Sequence, residues 1–104
     1  MLSIKPGVHI HNLQPQMVVA LIVANDVWKA LGQDLVWTCC NEARHRQKSY
    51  HVLGYAIDFR SNYFSPHQKR AAAIKLREAL GENYDVIAED THIHCEYDPP
   101  QLIV

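Results

Sequence analysis

From Pro15 to about Leu31 the apolar positions recur at the three- and four-residue spacing of a helix: Met17, Leu21, Ala24, Trp28 and Leu31 fall on one face. Val18, Val19, Ile22 and Val23 widen that face so far that the helix is expected to be mostly buried. Pro15 suits the first helical position, and Gly32 predicts a left-handed stop. Leu35 to Cys40 is rich in apolar and β-forming residues and reads as a strand, as does Val52 to Phe59. The polar stretch from Asn41 to Ser49 between them reads as a loop. Ser65-Pro-His-Gln68 is a capping box with proline at the first helical position. The helix it opens carries Ala73, Leu76 and Leu80 on one face and stops at Gly81. Tyr84 to Ala88 and His92 to Tyr97 read as two short strands joined by a tight acidic turn, and Pro99-Pro100 ends the regular structure. Val8 to His11 reads as a short strand or an extended entry segment.

Helix, two strands, helix, two strands is the order expected of an α+β domain, with a small, largely antiparallel sheet packed with two main helices. The 104 residues fit one domain, spanning 1–104, with one modest core. A formal net charge of −1 and the lack of any charged block argue against nucleic acid as a partner. The longest apolar run, Met17 to Ala24, is too short to span a bilayer, so no membrane role is expected. The start of the chain lacks a signal peptide's pattern, which predicts synthesis in the cytoplasm without export of its own. Three cysteines, two of them adjacent (Cys39 and Cys40), make no disulfide framework and are expected to be reduced thiols. Trp28, Trp37 and Tyr55 fit the core.

Candidate chemistry comes from the histidines, of which there are seven. Alternation in the last strand puts Asp90, His92, His94 and Glu96 on one face and Ile93, Cys95 and Tyr97 on the other. The apolar set belongs to the core, so His92 and His94 point together at an open face, as a metal ligand and a neighbouring catalytic group require. His51 and Asp58 are seven apart and reach one metal only if His51 lies in the turn before the strand and Asp58 within it. Gly54 permits that bend. Gly54 and Ala56 share the parity of Asp58, and their small side chains leave room beside the carboxylate. Ser49 is placed to hold the loop or to hydrogen-bond a ligand from behind. Two imidazoles and a carboxylate suit a catalytic zinc, which keeps one position for water. His9 and His11 have nothing nearby to complete a ligand set and are read as exposed. His67 falls in the first turn of the second helix and His45 in the polar loop.

Ser49-x-His51-x-x-Gly54-x-Ala56-x-Asp58 resembles the Ser-x-His-x-x-Gly-x-Ala-x-Asp signature of the M15 zinc peptidases, and His92-Ile-His94 resembles the closing motif of one branch. These are D-alanyl-D-alanine carboxypeptidases, D-alanyl-D-alanine dipeptidases and phage endolysins that cut peptidoglycan peptides. Leu35 through Asp98 looks like the small phage-type members throughout. The same two motifs occur in the amino-terminal signalling domain of hedgehog proteins, whose zinc site is not known as a peptidase. The resemblance implies the fold these proteins share, with zinc held by His51, Asp58 and His94. It implies that His92 binds or polarises the water. It also implies an arginine before the serine motif as the cation for the oxyanion or a substrate carboxylate: Arg44 is preferred, with Arg46 as the alternative.

Another branch of the family places a glutamate three residues before the last zinc histidine. Here that position is Thr91, whereas Glu89 lies three before His92. A shifted reading therefore makes Glu89 the base and His92 the ligand. Strand parity, which turns Glu89 away from both histidines, favours His92 as the catalytic group. Asp90 either orients His92 or is a solvated acid at the turn. The expectation is a monomeric peptidase acting on peptidoglycan stem peptides at the bacterial wall and encoded by a phage. The rival is a non-catalytic, zinc-stabilised binding or structural module of the same fold.

Overall fold

A computed structural model of the chain describes residues 2–6, 13–39 and 55–98. Along them run β1 (Leu2–Ile4), α1 (Pro15–Ala30), β2 (Leu35–Cys39), β3 (Ala56–Arg60), α2 (Pro66–Leu80), β4 (Tyr84–Ala88) and β5 (His92–Tyr97). The five strands form one sheet in the order β1-β2-β3-β5-β4. Pairing is antiparallel throughout except for β1, which lies parallel to β2 at the edge. The fold is thus a small α+β arrangement of two helices and a mostly antiparallel open sheet. Among the described residues no helix is long and apolar enough to cross a membrane.

Register explains the two faces of the sheet. Trp37 stands opposite Phe59, Phe59 opposite Ile93, and Ile57 opposite Cys95, which in turn faces Val86. These side chains form one buried cluster with Met17, Ala20, Ala24 and Trp28 of α1 and Ala72, Ala73 and Leu76 of α2. Both helices therefore cover the same face. Trp28 meets Phe59 edge-on at 5.6 Å and donates its indole N–H to the Arg60 carbonyl at 3.1 Å, fixing α1 behind the end of β3. Tyr84 donates its hydroxyl to the Gln16 carbonyl at 2.9 Å, tying β4 to the first turn of α1.

The punctuation read from the sequence is present. Ser65 Oγ accepts from the Gln68 N–H, and the Gln68 side chain accepts from the Ser65 N–H, both at 3.1 Å. Gly32 and Gly81 close the two helices at φ of 81° and 87°, where a Cβ would be strained. β4 and β5 have the expected bounds. Two expectations need correction. The first helix is not mostly buried: Val18, Val19 and Ile22 are 44, 51 and 60% exposed, because the helix turns the face of Met17, Ala20, Ala24 and Trp28 into the core, with Leu21, Val23 and Val27 partly buried at its margins. The sheet also gains a first strand that the reading lacked, β1, while the segment from Val8 to His11 lies outside the described residues.

Candidate metal centre

The face of the sheet opposite the two helices carries a polar set built by register. Asp58 of β3 stands directly opposite His94 of β5, and Arg60 stands opposite His92. Alternation along β5 does the sorting: Ile93 and Cys95 are fully buried, whereas His92, His94 and Glu96 are partly open. Between Trp37 and Cys39 the register of β2 against β3 shifts. Thr38 Oγ1, within that irregularity, donates to the Asp58 carbonyl at 3.2 Å. A bulge beside a strand increases its local twist, here next to the residue that carries the carboxylate.

Asp58 is 8% exposed, unusually low for a carboxylate, and its neighbours are polar. Its Oδ1 lies 2.8 Å from His94 Nδ1, and its Oδ2 lies 3.7 Å from His92 Nε2. The other ring nitrogen of His94, Nε2, is 2.7 Å from Glu96 Oε1. His94 is therefore held between two carboxylates. Burial alone pulls its pKa down, but the hydrogen bonds and negative charge of Asp58 and Glu96 outweigh that and raise it to about 9. In the metal-free fold the ring is an imidazolium that donates from both nitrogens.

His92 has a different environment. Its Nε2 is 2.9 Å from Glu89 Oε2, and its Nδ1 is 3.3 Å from Thr91 Oγ1. Parity had turned Glu89 away from the histidines. The structure corrects this: β4 ends at Ala88, so Glu89 lies in the turn where alternation no longer governs side-chain direction. Asp90 is exposed, and its described contact is a backbone one, the carbonyl accepting from Lys69 Nζ at 2.8 Å. The carboxylate that meets His92 from the turn belongs to Glu89.

The structure thus brings together Asp58, His92 and His94 of the sequence-derived site, and Ala56 is buried two residues before Asp58 on the same face. His51, Ser49, Arg44, the alternative Arg46, and Gly54 lie outside the described residues. Glu96 had been placed on this face without a role, and its grip on His94 follows from the same two-residue period. Arg60 was not singled out, although its register with His92 makes it a described cation beside the site.

The donor chemistry suits zinc, since a carboxylate and imidazoles are its usual hard and borderline ligands. Ligand atoms on a tetrahedral zinc stand about 3.3 Å apart, given bonds of about 2.0–2.1 Å. The Asp58–His94 pair, at 2.8 Å, is within a small side-chain adjustment of that spacing. Among the described residues, the group of three donors lying within 4.8 Å of one another is Asp85, Glu96 and Asp98. It contains only carboxylates and no imidazole. Neither a family model nor a curated protein matches this chain.

Proposed function

We propose that the chain is a zinc-dependent peptidase acting on bacterial cell-wall peptides, with Asp58 and His94 holding the metal together with His51. The observation that carries this reading is the cross-strand pair Asp58–His94 on the face opposite the helices, with His92 approaching the same carboxylate. Two of the three proposed ligands, Asp58 and His94, are thus adjacent in space. When bound, zinc would supply Lewis acidity and lower the pKa of a water to about 7. The remaining steps belong to the chain. His92 is placed to hold or move a proton at Nε2, and Glu89 orients that nitrogen and balances its charge. Arg44 or Arg46, or Arg60 by its register, would meet the negative charge that develops on the scissile carbonyl or the substrate carboxylate.

A second reading follows from His94 itself. An imidazolium shared by two carboxylates is an ion-pair network, and such a network serves a binding or structural module as well as it serves a metal centre. The experiment that separates the readings is zinc content and hydrolysis of purified peptidoglycan by the wild type, His94→Ala and His92→Ala. One zinc per chain, lost in His94→Ala, with hydrolysis lost but zinc retained in His92→Ala, supports the peptidase. Zinc binding without hydrolysis by any of the three supports the module. No zinc after zinc is supplied removes the metal from both.

A further inference from the structure

The cations of this chain look scattered in sequence, but the helical period gathers three of them. Lys69, Arg70 and Arg77 lie along one stripe of α2 with Ala73 between them. They line a groove of about 340 Å³ between α2 and the outer edge of β4, where Ala88 contributes to the wall. Ala73 and Ala88 are the small residues that leave the space open. Arg77 donates from Nε and Nη2 to the Val86 carbonyl at 3.0 and 2.8 Å. Lys69 donates to the carbonyls of Glu89 and Asp90 at 3.0 and 2.8 Å. Both side chains are thereby fixed by backbone while their charge stays uncompensated. Among the described residues, none of the three cations has a carboxylate within ion-pair distance. Arg70 is exposed, with its guanidinium uncommitted.

The strand edge adds a donor. The Glu89 N–H bonds to the His92 carbonyl, and the Asp98 N–H bonds to the Asn83 carbonyl, so the odd positions of this strand face β5. In an antiparallel ladder the even positions then turn their N–H and C=O groups to the outer edge, away from β5. Arg77 reaching the Val86 carbonyl agrees with this, and Ala88 turns its N–H the same way, on the side of the groove. Three cations around a small floor, with a backbone N–H at the wall, suit a compact anion of more than one charge. An added peptide strand suits the place poorly, because Arg77 already occupies the Val86 carbonyl that such a strand needs.

We propose that the groove formed by Lys69, Arg70, Arg77 and the Ala88 edge of β4 is a binding site for a phosphate group. The group belongs either to a free phosphate or monoester or to the phosphodiester of a longer polymer. The site lies on a different surface from the Asp58–His94 face and does not rest on the peptidase reading.

The test is a nuclear magnetic resonance titration of the full chain with inorganic phosphate and, separately, with a glycerol-phosphate oligomer. Acetate and chloride at matched ionic strength are the controls. Saturable shifts at Lys69, Arg70 and Ala88 are expected with both phosphate probes. Arg70→Glu is expected to weaken binding at least about tenfold, because it replaces charge-assisted hydrogen bonds with repulsion. Its melting temperature should stay that of the wild type, since Arg70 makes no described contact. Tighter binding of the oligomer assigns the phosphodiester source, and tighter binding of inorganic phosphate assigns the free one. Three results overturn the site: equal response to acetate or chloride, binding indifferent to Arg70→Glu, or shifts confined to the Asp58–His94 face.

Discussion

Asp58 and His94 face each other across β3 and β5, with Oδ1 and Nδ1 2.8 Å apart. Glu96 closes on the other side of the same ring at 2.7 Å. The ring is held by strand register on one side and by its own strand's two-residue period on the other. Its protonation is therefore a property of the sheet rather than of a mobile loop.

The first prediction concerns pH. His94 titrates near 9 in the fold and near 6.5 when unfolded, because its two carboxylates outweigh the opposing effect of burial. A folded pKa above the unfolded one means that the fold retains a proton the unfolded chain gives up. The stabilisation is therefore full below about pH 6.5 and is lost as pH rises through about 9, on the order of 2–3 kcal/mol in all. Urea unfolding of metal-free protein at pH 6 and pH 10 reads this directly. Equal stability at the two pH values would show that the ring is not shared as described. Zinc should act in the opposite sense, adding stability as the ring is deprotonated and losing it in mild acid.

Glu89→Gln should separate chemistry from folding. Glu89 is about half exposed, so the change should alter stability by no more than about 0.5 kcal/mol. If Glu89 orients His92 for hydrolysis, kcat should fall about 10- to 100-fold, with KM and zinc content little changed. Steady-state kinetics beside a zinc assay decide it. Activity equal to the wild type would leave the 2.9 Å contact as an ordinary surface ion pair.

Ser65→Ala tests the start of α2. The substitution leaves the Gln68 N–H without its cap and should destabilise the fold by about 1 kcal/mol. Thermal or urea unfolding measures this. A loss below about 0.3 kcal/mol would mean that water replaces the serine oxygen at little cost.

Cys95 should be inert in the native protein. Burial, and then the negative charge of Glu96, Asp58 and Asp85, push its thiol up to about 12. Thiolate is the reactive form, so alkylation at Cys95 near pH 8 should proceed only as fast as the fold opens. Mass spectrometry of native and urea-unfolded protein after iodoacetamide tests this. Prompt modification of Cys95 in the native state would contradict its buried placement.

Where local rules govern structure, the sequence was readable. The His92–Tyr97 alternation predicted which side chains face inward, and Ser65–Gln68 predicted the helix start with its reciprocal bonds. Non-local choices were not readable. Leu2–Ile4 is three residues with no alternation to mark it, and it becomes a strand only by pairing with a segment more than thirty residues away. The run from Val18 to Val23 predicts an apolar helix, but composition does not say which neighbours cover it. Glu89 was misread because the parity of the last strand was carried back into the turn, three residues before β5 begins at His92. At the site, motif spacing marked Asp58 and His94 as candidate ligands of one metal, but their direct hydrogen bond, and the closure of Glu96 on the same ring, follow from strand register and were not read from the sequence.

The sheet's two edges differ from its middle in how they open. β1 is held by one parallel ladder of three exposed residues and the bond from Lys5 N–H to the Trp37 carbonyl. Its amide protons should exchange through local fraying, at a free-energy cost far below that of global unfolding. β3 and β5 carry a neighbouring strand on each side. Exposing the backbone of Asp58 or His94 therefore requires breaking a ladder on both flanks. Many binding residues sit in the least protected parts of a protein, whereas these lie on inner strands of the sheet, whose amides should exchange more slowly than those of β1. A ligand of Asp58 and His94 therefore meets strands whose backbone is already paired on both sides.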